Sequence, residues 1–196
     1  MKKLLIATGM AALLGGCAST GFMQSDWQVE TASDKFYGGT SCTVKWHDAL
    51  SMGYGIRYYP FLTQASNGKS YFGVANNYGA PVGDVLIKVD GNQPIRISYT
   101  ETPIVDSASG TVPSMPEMPN GSSKQVAQAV MSVRAMQSPY TLASEEKSQR
   151  LIEQMKQGER ILLRVIGYGV NSSTQSTDGE YPITAKAKDG MSRCNI

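Results

Sequence analysis

From Asp26 to Thr100, apolar and polar residues change places with a period of mostly two. Trp27, Val29 and Thr31 alternate with Gln28 and Glu30, and Cys42, Val44 and Trp46 alternate with Thr43, Lys45 and His47. Ile56, Tyr58 and Phe61 follow a glycine-rich turn, and Tyr71, Gly73 and Ala75 alternate with Phe72 and Val74. Successive side chains of a strand point to opposite faces, so each run predicts a half-buried strand. The clearest pair is Asp84–Asp90 and Pro94–Tyr99, separated by Gly91-Asn92-Gln93. Val85, Ile87 and Val89 share one face and can meet Ile95, Ile97 and Tyr99 across a hairpin. Asp90-Gly91 tolerates the positive φ that its turn requires. Pro94 lacks an N–H and belongs at a strand start or a sheet edge.

Beyond Thr100 the period changes. Residues 101–121 carry Pro103, Pro113, Pro116 and Pro119 among Ser, Thr, Gly and Met, which predicts a long irregular loop. Met115 and Met118 flank Pro116-Glu117 and are candidates for an adaptable contact surface, against the plainer reading of a surface connection. Two helices are predicted next. One covers about Ser123–Gln137, with Val126, Ala129, Val130, Val133 and Met136 at helical spacing and Pro139 beyond its end. The other starts after Ser144, with Glu145 and Glu146 in its first turn, an apolar face of Leu151, Ile152 and Met155, and Gly158 at its close. Arg160–Ile166 is nearly continuous in apolarity and reads as a central strand. Asn171–Gly179 reads as a polar turn, and Tyr181–Lys186 as a last strand. Strands, then helices, then strands predict an α+β fold: an antiparallel β-sheet or sandwich with two helices inserted before the last strands.

The first seventeen residues follow another pattern. Met1-Lys2-Lys3 precedes an apolar stretch, Leu4–Leu14, and then Gly15-Gly16-Cys17. A basic start, a short apolar run and a small-residue cleavage site make an export signal. A span of the hydrocarbon core needs about 20 apolar residues, more than this run provides. Leu14-Gly15-Gly16-Cys17 resembles the lipobox of bacterial lipoproteins. That resemblance implies alkylation of the Cys17 thiol by a diacylglyceryl group, cleavage between Gly16 and Cys17, and N-acylation of the new terminus. No other cofactor is expected. At about 0.8 kcal/mol per buried methylene, two or three chains hold a protein on a membrane stably. Ala18, where aspartate would favour inner-membrane retention, points to the outer membrane if the cell is Gram-negative, which the sequence leaves open. The leaflet, its facing and the oligomeric state are left open. The chain therefore divides into a cleaved signal peptide (1–16), a lipidated N-terminus and tether (17–25) and one globular domain (26–196).

Composition then changes the picture of the mature chain. The formal charge of +2 comes entirely from Lys2 and Lys3, so the product carries 16 basic and 16 acidic residues. A balanced domain has no electrostatic footprint for nucleic acid. One of the three cysteines is taken by the anchor. Cys42 and Cys194 remain in an oxidising compartment, and they are predicted to pair as a disulfide.

Candidate chemistry is sparse. His47, in Trp46-His47-Asp48, is the only histidine, and no Gly-x-Ser-x-Gly elbow accompanies it. It sits on the polar phase of its strand and reads as a surface histidine. One histidine and two paired cysteines leave little to bind zinc or copper, and no calcium loop is present. No catalytic or metal-ligating set is therefore assigned. Ten tyrosines against four phenylalanines suit strands and binding surfaces alike. These features point to a non-catalytic envelope lipoprotein with a protein or cell-wall partner. The alternative is a small envelope hydrolase acting on peptidoglycan or lipid.

The mature chain also resembles the invasion-associated locus B family and related exported β-rich domains, including accessory proteins of type VI secretion. The resemblance lies in Trp27 opening the first strand, Gly83-Asp84-Val85 leading into Val89-Asp90-Gly91, and Gly158 before Ile161-Leu162-Leu163-Arg164-Val165. Tyr181-Pro182-Ile183-Thr184 and the near-terminal Cys194 also fit; the usual second internal cysteine pair is missing. It implies an exported β-rich domain and no catalytic role.

Overall fold

The computed structural model describes residues 25–33, 40–49, 55–65, 67–102, 133, 135–167 and 178–196. The signal peptide, Gly16, Cys17, all of the tether except Ser25, Met115, Met118 and most of the predicted 123–137 helix lie outside the described residues. Among the described residues, no helix is long and apolar enough to cross a membrane.

The fold is α+β, built on two antiparallel sheets. The first contains β1 (Asp26–Ser33), β2 (Thr40–His47), β3 (Tyr58–Gln64), β4 (Ser70–Asn76) and β7 (Tyr140–Leu142), in the order β1-β2-β3-β4-β7. The second contains β5 (Asp84–Val89), β6 (Ile95–Ile97), β8 (Arg160–Gly167) and β9 (Asp178–Pro182), in the order β6-β5-β8-β9. Helix α1 (Glu145–Gln157) lies against β4 and β5, one strand from each sheet, while α2 (Ala185–Arg193) lies against β1 and β2. Alternate residues from both sheets enter one core: Val44, Leu62, Phe72 and Val74 from the first, and Val85, Ile87, Ile161 and Leu163 from the second.

The predicted hairpin is present, with Val85 opposite Ile97 and Ile87 opposite Ile95. Asp90 takes a φ of 47°, and Pro94 precedes the edge strand β6. Tyr99 does not continue β6. Ser98 caps a single 3-10 turn, Tyr99–Glu101, through reciprocal bonds with Glu101, which diverts the chain. In β3 the inward phase is Pro60 and Leu62, so Phe61 faces outward, lies edge-on to Tyr140 at 6.3 Å and covers Gly73 of β4. Strand β8 is central, between β5 and β9, yet only Ile161, Leu163 and Val165 are buried; Leu162 stands outward, 38% exposed.

Helix α1 buries Leu151, Ile152 and Met155, the face read from the sequence. Its closing Gly158 is there for room: a Cβ would stand 2.7 Å from both Asp90 Oδ2 and Val89 Cγ1. The Asp90 carboxylate accepts from the N–H groups of Glu159 and Arg160, tying the hairpin turn to the start of β8.

The C-terminus departs from expectation. The last strand ends at Pro182, and a helix replaces the Tyr181–Lys186 strand. Helix α1 precedes the last strands as expected, Val133, Ala135 and Met136 of the other predicted helix are helical, and α2 is a further helix that follows the last strand. Pro182 is a poor ladder member, while Ala185-Lys186-Ala187-Lys188 favours helix. Ala187, Gly190, Met191 and Cys194 fall on the inward face. Gly190 ordinarily weakens a helix by about 1 kcal/mol. Here it lets α2 descend onto the sheet, because a Cβ would meet Val29 and Val44 at 2.9 Å. Cys194 follows at once and is bonded to Cys42 of β2, with Cα atoms 5.4 Å apart, consistent with the predicted pairing.

Candidate functional site

The site begins with a proline inside a sheet. The ladder between β2 and β3 runs from Cys42↔Gln64 to Lys45↔Phe61 and stops. The next pair would join Trp46 to Pro60, and proline has no N–H to donate. Beyond that point β2 stays paired only with β1, through Trp27↔Trp46 and Asp26↔His47. Strand β3 stays paired only with β4, through Pro60↔Val74, Tyr59↔Ala75 and Tyr58↔Asn76. The two strands form a fork, and a cleft of about 430 Å³ opens there. Its β2 wall is Lys45, Trp46, His47 and the following Asp48; its β3 wall is Ile56, Arg57, Tyr58 and Tyr59. The start of β9 closes it with Asp178, Gly179 and Tyr181.

Tyr181 crosses from the second sheet into the fork. Its hydroxyl donates to the backbone carbonyl of Tyr58, on the part of β3 that has lost β2 as a neighbour. Burial pushes the Tyr181 phenol up to about 12, so it stays a neutral donor across ordinary pH. Burial also raises the Tyr58 phenol. Trp46 meets Trp27 edge-on at 6.0 Å and Tyr181 edge-on at 5.6 Å, and Trp27 Nε1 donates to the Pro182 carbonyl at 2.7 Å. These rings clamp β9 to the first sheet, and Trp46 and Tyr181 among them line the cleft. Gly179 makes the clamp possible, because the Tyr181 ring lies back over it; a Cβ there would be 2.5 Å from the hydroxyl oxygen.

The charges around the cleft stand in pairs. Lys45 meets Glu30 at 2.7 Å, Arg57 meets Asp48 at 2.7 Å, and Arg164 grips Asp178 with bonds of 2.7 and 2.6 Å. The bond from Arg164 holds the Asp178 carboxyl below the usual range. Ser25 donates its hydroxyl proton to Asp48 Oδ1 at 3.0 Å and accepts the Ala49 N–H at 3.1 Å. The serine is thus committed to the carboxylate, which is not the order of a Ser-His-Asp relay. The arrangement offers aromatic contact and hydrogen bonding.

The structure brings His47, Tyr58 and Tyr59 into one cleft, so His47 lines a concavity where the sequence suggested a plain surface position. Tyr78 stands apart, 60% exposed, and the Cys42–Cys194 bridge is a structural tie. Among the described residues, no three His, Cys, Asp or Glu side chains gather to hold a metal ion. Arg57 and Asn77 escaped the sequence reading, and Asp48 and Tyr181, though named there, were not placed in a site. The signal that could have found them is Pro60, a proline inside an otherwise strand-like run.

Comparison with family models, with curated proteins and with solved structures returned no match. Fold and site alone therefore define the class: a disulfide-tied α+β domain of two antiparallel sheets, with an aromatic cleft where one sheet forks.

Proposed function

We propose that this chain is a cell-envelope lipoprotein, held by acyl chains on Cys17, that binds an envelope partner through the fork cleft without transforming it. The observation that carries the reading is the cleft's make-up: aromatic walls for contact, and charges already matched to one another. The lipobox supports the anchor, and the Cys42–Cys194 bridge is consistent with an oxidising compartment. Ala18 favours the outer membrane as the destination. Residues 18–25, fully extended, reach roughly 27 Å, so the cleft would meet its partner close to the lipid surface.

A second reading, a small envelope hydrolase acting on peptidoglycan or lipid, draws on His47, Asp48 and Asp178 sharing the cleft. It fits less well. A general acid needs a raised pKa, and Arg164 lowers that of Asp178. The Ser25 hydroxyl is already engaged by Asp48.

The reading is tested in intact cells. A palmitate analogue should label the wild type and leave Cys17→Ala unlabelled; equal labelling of the two would remove the anchor. A photo-crosslinking residue at Ile56, 47% exposed on the cleft rim, should capture a partner that the same residue at exposed Lys188 on α2 does not. Equal capture from both positions would discard the cleft as the binding surface. Release of soluble wall fragments or fatty acid by wild type, lost in His47→Ala, would replace binding with hydrolysis.

A further inference from the structure

We infer that the fork cleft takes an uncharged oligosaccharide of pyranose rings. The inference rests on the cleft being a binding site and names what enters it. At about 430 Å³ the cleft falls within the ~300–1,000 Å³ of small-molecule sites.

Charge comes first. The cations and anions at the cleft, Lys45, Arg57, Asp48 and Asp178, each have an opposite partner within 2.6–2.7 Å. These pairs are part-exposed and already matched, so a charged ligand gains little net attraction from them. An uncharged ligand leaves them intact and can use the hydrogen-bonding capacity they keep. The Arg57 guanidinium has five N–H donors, and His47 offers two ring nitrogens. Planar groups of this kind match the adjacent hydroxyls of a sugar two at a time, as they match other paired oxygens. The C–H face of a pyranose is apolar and flat enough to lie against Tyr59, in the outward phase of β3, while Trp46 and Tyr58 back the cleft from the core side.

The backbone then separates a saccharide from an extended peptide. A peptide that adds to a sheet needs a row of unpaired main-chain groups. The β3 side of the fork does not provide one. The Arg57 N–H donates to Asn77 Oδ1 at 2.8 Å, and the Arg57 carbonyl accepts from the Asn77 N–H at 3.1 Å. The Tyr58 carbonyl is taken by Tyr181, and Pro60 has no N–H. Along β3, recognition falls to side chains, which suits a hydroxyl-rich ring.

The experiment uses the full acylated protein in detergent micelles and chitotetraose, a neutral tetramer of N-acetylglucosamine. Tryptophan fluorescence should change saturably, and saturation-transfer NMR should mark the sugar ring protons. Tyr59→Ala should weaken binding by about tenfold or more with an unchanged melting curve, whereas Tyr78→Ala should not. Binding should hold from about 50 mM to about 500 mM salt, because no ion pair forms. The deacetylated, cationic tetramer should bind at least about tenfold more weakly. No saturation transfer at about 10 mM sugar, or equal transfer with Tyr59→Ala, would overturn the saccharide. If position-specific crosslinking from Ile56 to a protein persists in that case, the binding reading stands and its ligand is a polypeptide. If neither sugar nor crosslink appears, both readings fall.

Discussion

The hydroxyl of Tyr181 donates to the backbone carbonyl of Tyr58, so a side chain from the edge of one sheet engages a main-chain group on the forked part of the other. This bond links the fold to the site. It keeps the carbonyl satisfied while the fork stays open, and it fixes β9 as the third wall of the cleft. Removing the hydroxyl leaves a part-buried acceptor without this donor, which costs about 1–3 kcal/mol. Tyr181→Phe should therefore lower stability by about that amount in urea unfolding, and an unchanged midpoint would contradict the clamp. Burial of the same phenol predicts a pH dependence. The folded phenol titrates at about 12, above its ordinary value near 10, so its contribution is fully present below about pH 10 and is lost as pH rises toward 12. The wild type should lose stability over that window, and Tyr181→Phe should lose less.

Pro60 is expected to hold the fork open. Pro60→Val restores an N–H and a strong strand former, so the β2–β3 ladder can extend to Trp46. Stability should hold or rise, the new amide at position 60 should resist hydrogen exchange, and crosslinking from Ile56 should fall. A rapidly exchanging amide with undiminished crosslinking would mean that the proline is incidental.

Gly190 tests the packing of α2. Alanine is the better helix former by about 1 kcal/mol, but its Cβ would meet Val29 and Val44 at 2.9 Å. Overpacking a tight core costs about 1–3 kcal/mol. Gly190→Ala should lower the melting temperature, and a rise would show that α2 has room to spare.

The Cys42–Cys194 bridge closes a loop of 152 positions and pins the C-terminal helix to β2. The chain-entropy model assigns such a loop about 5 kcal/mol, and native bridges commonly deliver about 2–5. Cys194→Ser, or reduction of the wild type, should lower unfolding stability within that range. Non-reducing mass mapping should recover the two peptides joined; recovery of both as free thiols would remove the tie.

Much of this molecule was legible in the order of its residues, because the periods of strand and helix are local. The alternation in β1, β2 and β5, the Val85–Ile97 hairpin and the apolar face of α1 each follow from spacing alone. Where one local signal misled, another contact had overruled it, sometimes close by and sometimes distant in sequence. Tyr181–Lys186 reads as strand until the helix that begins at Ala185 settles Gly190 onto Val29 and Val44, and Tyr99 reads as strand until Ser98 and Glu101 close their cap.

The site belongs wholly to that second category. Trp46, Arg57 and Tyr181 come from three strand regions and meet only after the sheets have packed. The sequence by itself determined most of the elements and the balance of 16 basic and 16 acidic residues from Cys17 onward, and it raised the expectation of an anchor, since these depend on neighbours or on sums. Only the tertiary structure decided that one proline splits a sheet, that a tyrosine from the other sheet enters the gap, and that the charges at its mouth come already paired. Each of these is a relation between residues far apart in the chain, set by which faces must bury and which backbone groups must find a partner.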